Sequence, residues 1–548
     1  MHTGGLTGAD AGAGESSGVA GVESSGGSAG AAPSEDTGGT TNEGGRGDGS
    51  SEPRGGSSEP TLESIRVRFV NALYGARAEQ DASLNYELFP FDPFIVDVYL
   101  QGHSQALFAG VPPGSERAVT APVELALTAL RGNRELRVEV RTSGASPESQ
   151  PLIISESLRV PAGGSATFIA AGDPGPNAPS HDERAVILGI AKDRSLPGEQ
   201  RNAHFIAATH QREGDAEPWT FSENGRALAV LGHFDQEAVS LGHDVTNLSL
   251  ASSAAEPSLV SFTVPKGLLA RQRRSLVILT GLSALRPASD PLGLSLLIVP
   301  DDREGPSEPV RVLQDPLLGL VNCLRSTTGH VPTVDIVTNS AFLIGLDAKT
   351  PLFLPIRPSD TQIVVWPTNS VGHQPIFDWT PLNLEPGRRF LALLSGAPDA
   401  SDTAAGPVLT LVEDRFGVDP RRRQARLVNA VVGAPSLELG TWAVVTDDER
   451  GPEFTPSLGP AAFLEEGGLT DQAFLLPGET LGGPAMYGYF GVHVPSTEEY
   501  SSSELATLRA EPSFLVVVGN RSADALDLLQ IGPRRSGWAI VRRTLIRL

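Results

Sequence analysis

Two aspartates hold matching places in short apolar runs, Asp97 in Val96-Asp97-Val98-Tyr99 and Asp335 in Val334-Asp335-Ile336-Val337, and Glu438 sits between Leu437 and Leu439. An acid between apolar neighbours in a strand is expected to point away from them, to the solvent face or a sheet edge, where it joins a binding surface or is held by hydrogen bonds. One acid per region is not a general acid and base pair, which needs a second group within reach. The five tryptophans are Trp219, Trp366, Trp379, Trp442 and Trp538. Trp366 and Trp379 flank a loop containing His373 and could line one groove that stacks a sugar ring, although such residues are more often packed anchors. The residues expected at a binding surface are therefore Asp97, Tyr99, Asp335, Trp366 and Trp379.

The other reactive side chains form no catalytic or metal constellation. His204, His210, His233 and His243 are the densest histidine group, but their spacings match no compact zinc motif. Cys323 is the single cysteine, which excludes an internal disulfide framework and a multi-cysteine metal site. Its neighbours suit a small buried strand residue rather than a nucleophile. Asp193-Arg194, Asp302-Arg303 and Asp414-Arg415 each follow an apolar run, and interdomain elbows are the favoured reading, with calcium as the sharper alternative. Gly14-Glu15-Ser16-Ser17-Gly18 matches a nucleophile elbow, but a Gly/Ser tract cannot supply the strained strand-to-helix turn that this chemistry uses. Arg46-Gly47-Asp48 lies in the same tract and reads as solvated linker. The expectation is no catalytic residue, no metal and no cofactor.

These residues sit in a frame that repeats. The segments Val67-Arg68-Phe69-Val70-Asn71-Ala72-Leu73, Ala203-His204-Phe205-Ile206-Ala207-Ala208-Thr209, Leu318-Gly319-Leu320-Val321-Asn322-Cys323-Leu324 and Ala425-Arg426-Leu427-Val428-Asn429-Ala430-Val431 are variants of one opening. Their spacing of roughly 105 to 135 residues is too long for a solenoid and suits one domain each. Units are placed at 61–196, 197–303, 304–416 and 417–548, behind a leader of 1–60. Cys323 aligns with Ala72, Ala208 and Ala430.

The leader is Gly, Ser, Ala, Thr and acid, with nine acidic residues against two arginines. It cannot offset its ordering entropy and is expected to stay disordered. The 548-residue chain carries a net charge of −23, which argues against nucleic acid as a partner. Positive charge is nearly all arginine, with lysine only at 192, 266 and 349. No segment approaches the apolar stretch of about 20 residues that spans a membrane, and no signal peptide precedes the leader.

Within the units, alternation and Gly/Pro punctuation predict strands. In the first they fall over Ile65 to Asn71, Ile95 to Leu100, Leu136 to Val140, Pro151 to Val160, Ala166 to Gly172 and Ala185 to Ile190. Many short strands and few helical stretches predict an all-β chain of tandem antiparallel β-sandwiches, immunoglobulin-like in plan. Runs that are apolar on both sides, such as Phe514 to Val518, must be covered on both faces.

At these residues a resemblance emerges. The opening Val67-Arg68-Phe69-Val70-Asn71-Ala72, then Val96-Asp97-Val98-Tyr99 followed by Gly102, then Pro161-Ala162-Gly163-Gly164 before the Phe168 strand ending in Gly172, resembles the bacterial domain of unknown function 4397 family. The third unit shares the pattern. The second and fourth depart from it, with Thr220-Phe221-Ser222 and Leu437-Glu438-Leu439 at the acid position. The resemblance implies a secreted or surface-attached β-rich module, often in tandem, with no established activity.

The function expected is therefore a non-enzymatic cell-envelope or extracellular protein, serving as scaffold, spacer or adhesive surface toward a protein or glycan partner. The alternative is a carbohydrate-binding protein using exposed aromatics. An envelope location further implies a true start upstream of Met1.

Overall fold

The computed structural model describes residues 64–547, apart from 77–90, 127–134, 176–184, 193–201, 210–217, 253–259, 282–292, 302–307, 358–361, 369–373, 380–383, 402–405, 417–424, 444–452, 463–465, 471–487, 495–498, 504–512, 521–524 and a few shorter breaks. The leader lies outside the described residues. Among the described residues the fold is β, with one short 3-10 turn at Glu116–Ala118.

Each opening starts a sheet. Ser64–Ala76 runs parallel to Ser165–Gly172, with Phe69 opposite Phe168. Ala203–Thr209 runs parallel to Ser275–Gly281, Leu317–Asn322 to Arg389–Ser395, and Ala425–Val432 to Ser513–Asn520. The second strand of each pair then meets a closing strand in antiparallel fashion: Val186–Lys192, Ser295–Pro300, Val408–Glu413 and Ala525–Arg534. This corrects the expectation of purely antiparallel sheets. The chain leaves the opening strand, builds a second sheet, and returns in the original direction, a crossover that parallel pairing requires.

The second sheet of each unit centres on the strand bearing the recurrent acid. Val96–Leu100 lies between Ala106–Val111 and Val138–Thr142. Val334–Thr338 lies between Phe342–Leu346 and Ile363–Pro367, and Ser436–Ala443 between Glu453–Ala462 and Gly488–Val494. In the second unit, Trp219–Glu223 takes this place between Arg226–Leu231 and Asn247–Ser252. In the fourth unit, Glu499–Ser503 and Gly537–Arg547 join both sets of strands into one nine-stranded sheet. The predicted strand over Pro151 to Val160 is instead two short pieces, Ile153–Ile154 and Leu158–Arg159. Val310–Leu313, beyond the expected boundary at 303, adds to the second unit's sheet beside Ser295–Pro300.

Alternation divides each opening sheet between two cores. Val67, Phe69, Ala166 and Phe168 pack with Val96, Val98, Val138 and Val140 of the first unit's own second sheet. Phe205, Val277, Phe221 and Leu250 do the same in the second unit, Leu320, Ala392, Ile336 and Val365 in the third, and Leu427, Leu515, Leu439 and Val492 in the fourth. The residues of opposite parity meet another unit. Val70, Ala72, Ile169 and Ala171 of the first unit pack with Ile206, Ala208, Leu276 and Ile278 of the second. Val321, Cys323, Leu391 and Leu393 of the third pack with Val428, Ala430, Phe514 and Val516 of the fourth. The units therefore associate as first with second and third with fourth, opening sheet against opening sheet. Each Val, Leu or Ile so covered contributes about 1.5–3 kcal/mol relative to leaving it in water. The small residues Ala72, Ala208, Cys323 and Ala430 all lie within these shared cores.

Candidate functional site

The recurrent acids sit where the second sheets are irregular. The ladder between Val96–Leu100 and Ala106–Val111 shifts register at Asp97, and Gly110 across from it has φ 65°. Asp97 Oδ1 accepts the Gly110 N–H at 2.7 Å and the Ser143 hydroxyl at 2.9 Å, while Oδ2 accepts the Gly144 N–H at 2.9 Å. Burial pushes this carboxyl up, but the bonds from Gly110, Gly144 and Ser143 outweigh it and hold Asp97 below its ordinary value. The third unit repeats the device. Its ladder shifts register at Asp335, and Asp335 Oδ1 accepts the N–H of Gly345, φ 78°, and the Thr368 hydroxyl. Glu438 also sits at a register shift and pairs with His493 Nδ1 at 3.0 Å. A β-bulge leaves a backbone group off the ladder, and a neighbouring acid supplies its partner. Asp97 and Asp335 act as bulge clamps, whereas Glu438 is held by a side chain.

The expected binding residues therefore separate. Asp97 and Tyr99 are both buried, 7% and 5% exposed, which corrects the expectation of a solvent-facing acid in the first unit. Arg141 stands across the ladder from Asp97, donates to Glu139 Oε2 at 2.6 Å and lies 5.6 Å from the centre of the Tyr99 ring. Sequence reasoning missed Arg141; the signal was the charge alternation in Val138-Glu139-Val140-Arg141. In the third unit, Asp335 and Trp366 are cross-strand partners and half-buried. Trp379 holds the ladder position opposite Ile363, three residues from Trp366 along that strand. That odd separation gives the two ladder positions opposite parity.

The remaining candidates have structural partners. His204 Nε2 meets Gln236 and His243 pairs with Glu223, while His210 lies outside the described residues. Among the described residues no group of three or more His, Cys, Asp or Glu could hold a metal ion. Cys323 is buried between the third and fourth units, and burial pushes its thiol up to about 12, with Arg325 acting in the other direction. Asp414 gives Oδ2 to Arg389 at 2.7 Å and Oδ1 to the Phe416 N–H; Arg415 and the other two Asp-Arg pairs fall outside the described residues. Arginines do bridge units, but from the openings. Arg68 donates to the Pro300 carbonyl of the second unit, and Arg426 to the Glu413 carbonyl of the third.

A second recurrent polar residue proved more informative than the acids. Asn71 Nδ2 donates to the Phe94 and Val111 carbonyls at 2.7 and 2.8 Å, and its Oδ1 accepts the Leu73 N–H. Asn322 makes the same set with Pro332, Leu346 and Leu324, and Asn429 bonds Ala461 and Val431. Each ties the end of an opening strand to the rim of the second sheet. Its identity in three openings was the available signal.

No family model and no curated protein matches the chain. No helix among the described residues is long and apolar enough to cross a membrane.

Proposed function

We propose that this chain is a non-enzymatic scaffold or adhesive spacer of the bacterial envelope or extracellular space, built from immunoglobulin-like sandwich units in tandem. The observation that carries the reading is the use of the polar residues. Asp97, Asp335 and the recurrent asparagines bond the protein's own backbone, Glu438 is paired with His493, and the opening sheets are covered on both faces. Chemistry needs convergent groups left available to a substrate; here they brace the fold. The resemblance of the openings to the domain of unknown function 4397 family supports the same location. Partners would be a surface protein or glycan meeting the outer sheets.

Protease treatment of intact source cells tests it. Digestion of the protein while a cytosolic marker survives is the expected result. Full protection in intact cells, with recovery in the cytosolic fraction, overturns the envelope scaffold.

A further inference from the structure

The second unit alone lacks the asparagine tie, having Ala207 at that position. A tight turn replaces it. The Phe234 N–H donates to the Ala207 carbonyl and the Ala207 N–H to the Asp235 carbonyl, while Gly232 and Asp235 close the turn on each other. The turn holds Phe234 at φ 60°, a left-handed conformation that costs a bulky side chain on the order of 1–3 kcal/mol. Its ring packs into the interface with the first unit, against Gly172, where an added Cβ would lie 3.1 Å from the Phe234 ring.

One histidine flanks this interface and a second stacks on the Phe234 ring that enters it. His233 stacks on Phe234 with ring centres 3.5 Å apart, and its Nδ1 is buried without a hydrogen-bond partner. His204 shares the parity of Ile206 and Ala208, which face the first unit. Lys192 of the first unit and Asp301 of the second, themselves paired at 3.4 Å, flank it, and Gln236 bonds its ring. Arg68 is engaged by the Pro300 carbonyl. Asp235, two residues from His233, is bonded to the Gly232 N–H, and Asp173, next to Gly172, accepts the Gly175 N–H.

We propose that the interface between the first and second units is an acid-sensitive latch, held shut by the strained Phe234 turn and released when His204 and His233 take up protons. The interface between the third and fourth units stays closed under the same conditions. Burial lowers both imidazoles to about 4, helped at His204 by Lys192 and opposed by Gln236 and Asp301, and opposed at His233 by the Thr209 backbone. A folded value below the ordinary 6.5 means that the closed state is favoured above that pH and loses the advantage as pH falls toward about 4.

The equivalent positions Cys323 and Ala208 allow a matched test in the full chain. One protein is unaltered; the second carries Cys323→Ala with Ala208→Cys; the third adds His204→Gln and His233→Gln to the second. Reaction with 4,4′-dithiodipyridine is followed at neutral pH and at about pH 4.5 and normalised to the urea-unfolded chain at each pH. The thiol placed by Ala208→Cys should gain reactivity by about tenfold or more on acidification, the histidine substitutions should abolish most of that gain, and Cys323 should stay within about twofold. Equal gains at both interfaces, or a gain unaffected by the histidine substitutions, overturns the latch. Should a variant fail to fold, hydrogen exchange in the unaltered chain decides: acid must accelerate Ser165–Gly172 and Ser275–Gly281 over Arg389–Ser395 and Ser513–Asn520, and uniform acceleration refutes it.

Discussion

The two unit pairs are built on one apolar plan and share an arginine bridge from an opening strand, but differ in their other polar fastenings. Between the first and second units the small residues are Ala72 and Ala208, and the polar contacts are the Lys192–Asp301 pair, His204 and the strained Phe234 turn. Between the third and fourth the small residues are Cys323 and Ala430, and Arg325 meets Asp527 at 3.3 Å with both side chains largely out of solvent. There Phe416 also packs on Phe514 with ring centres 4.8 Å apart, while Arg426 lies over Phe416. The difference separates what pairing requires from what tunes it. Apolar residues of one parity and a small residue in each opening recur in all four units, and an opening arginine bonded to the carbonyl that ends its partner's closing strand recurs in both pairs; the other charged contacts do not.

The largest expected effect falls on the pairing of the third and fourth units. Asp527→Ala leaves Arg325 buried and uncompensated, and removing one partner of such a pair costs about 3–5 kcal/mol. Urea unfolding should show the loss in the third and fourth units, with the first two unchanged. A loss under about 1 kcal/mol would place Arg325 in water and blur the contrast between the pairs.

A somewhat smaller effect distinguishes the asparagine tie from its replacement. Asn322→Ala removes donors from the buried Pro332 and Leu346 carbonyls and should cost about 2–4 kcal/mol, since unsatisfied buried groups cost about 1–3 kcal/mol each. The reciprocal change, Ala207→Asn, should not stabilise, because the turn at Phe234 already serves that backbone. Thermal unfolding of both variants checks this; a stabilised Ala207→Asn would show the turn to be dispensable.

The smallest effect lies at the junction between the pairs. Asp315 accepts from the Ser261 hydroxyl and the Thr263 N–H, and burial raises its carboxyl despite these bonds and Arg357. A raised folded value contributes stability that is present at low pH and lost as pH rises through it. Asp315→Asn should therefore be neutral or stabilising by up to about 1 kcal/mol at neutral pH, with the gain vanishing below about pH 4. A clear loss at neutral pH would make the charge itself part of the junction.

How much of this could be read in advance follows from the range of each interaction. The openings were legible because four copies share local alternation, and the two-sided apolar run Phe514 to Val518 correctly required cover on both faces. That the cover is a neighbouring unit was not legible, since parity marks a buried face without naming what buries it. The parallel ladders join strands roughly 70 to 100 residues apart, beyond any local pattern. Asp97 and Asp335 stood out by their matching positions in the sequence. Their role as clamps depended on Gly110 and Gly345, each in the neighbouring strand, which only the register brings opposite. The Trp366 and Trp379 groove rested on closeness in sequence alone.

The central claim is that opening sheets pair between units, and the native chain carries its own probe. Cys323 has the parity of Val321, away from the third unit's own core at Leu320 and Leu324, so only the fourth unit can shield it. The measurement is the rate of its reaction with 4,4′-dithiodipyridine in the unaltered full chain at neutral pH, against the urea-unfolded chain. Pairing predicts native protection on the order of a thousandfold or more, as for a group exposed only by an opening that costs several kcal/mol. A native rate within about tenfold of the unfolded rate would show that face open to water and contradict the pairing.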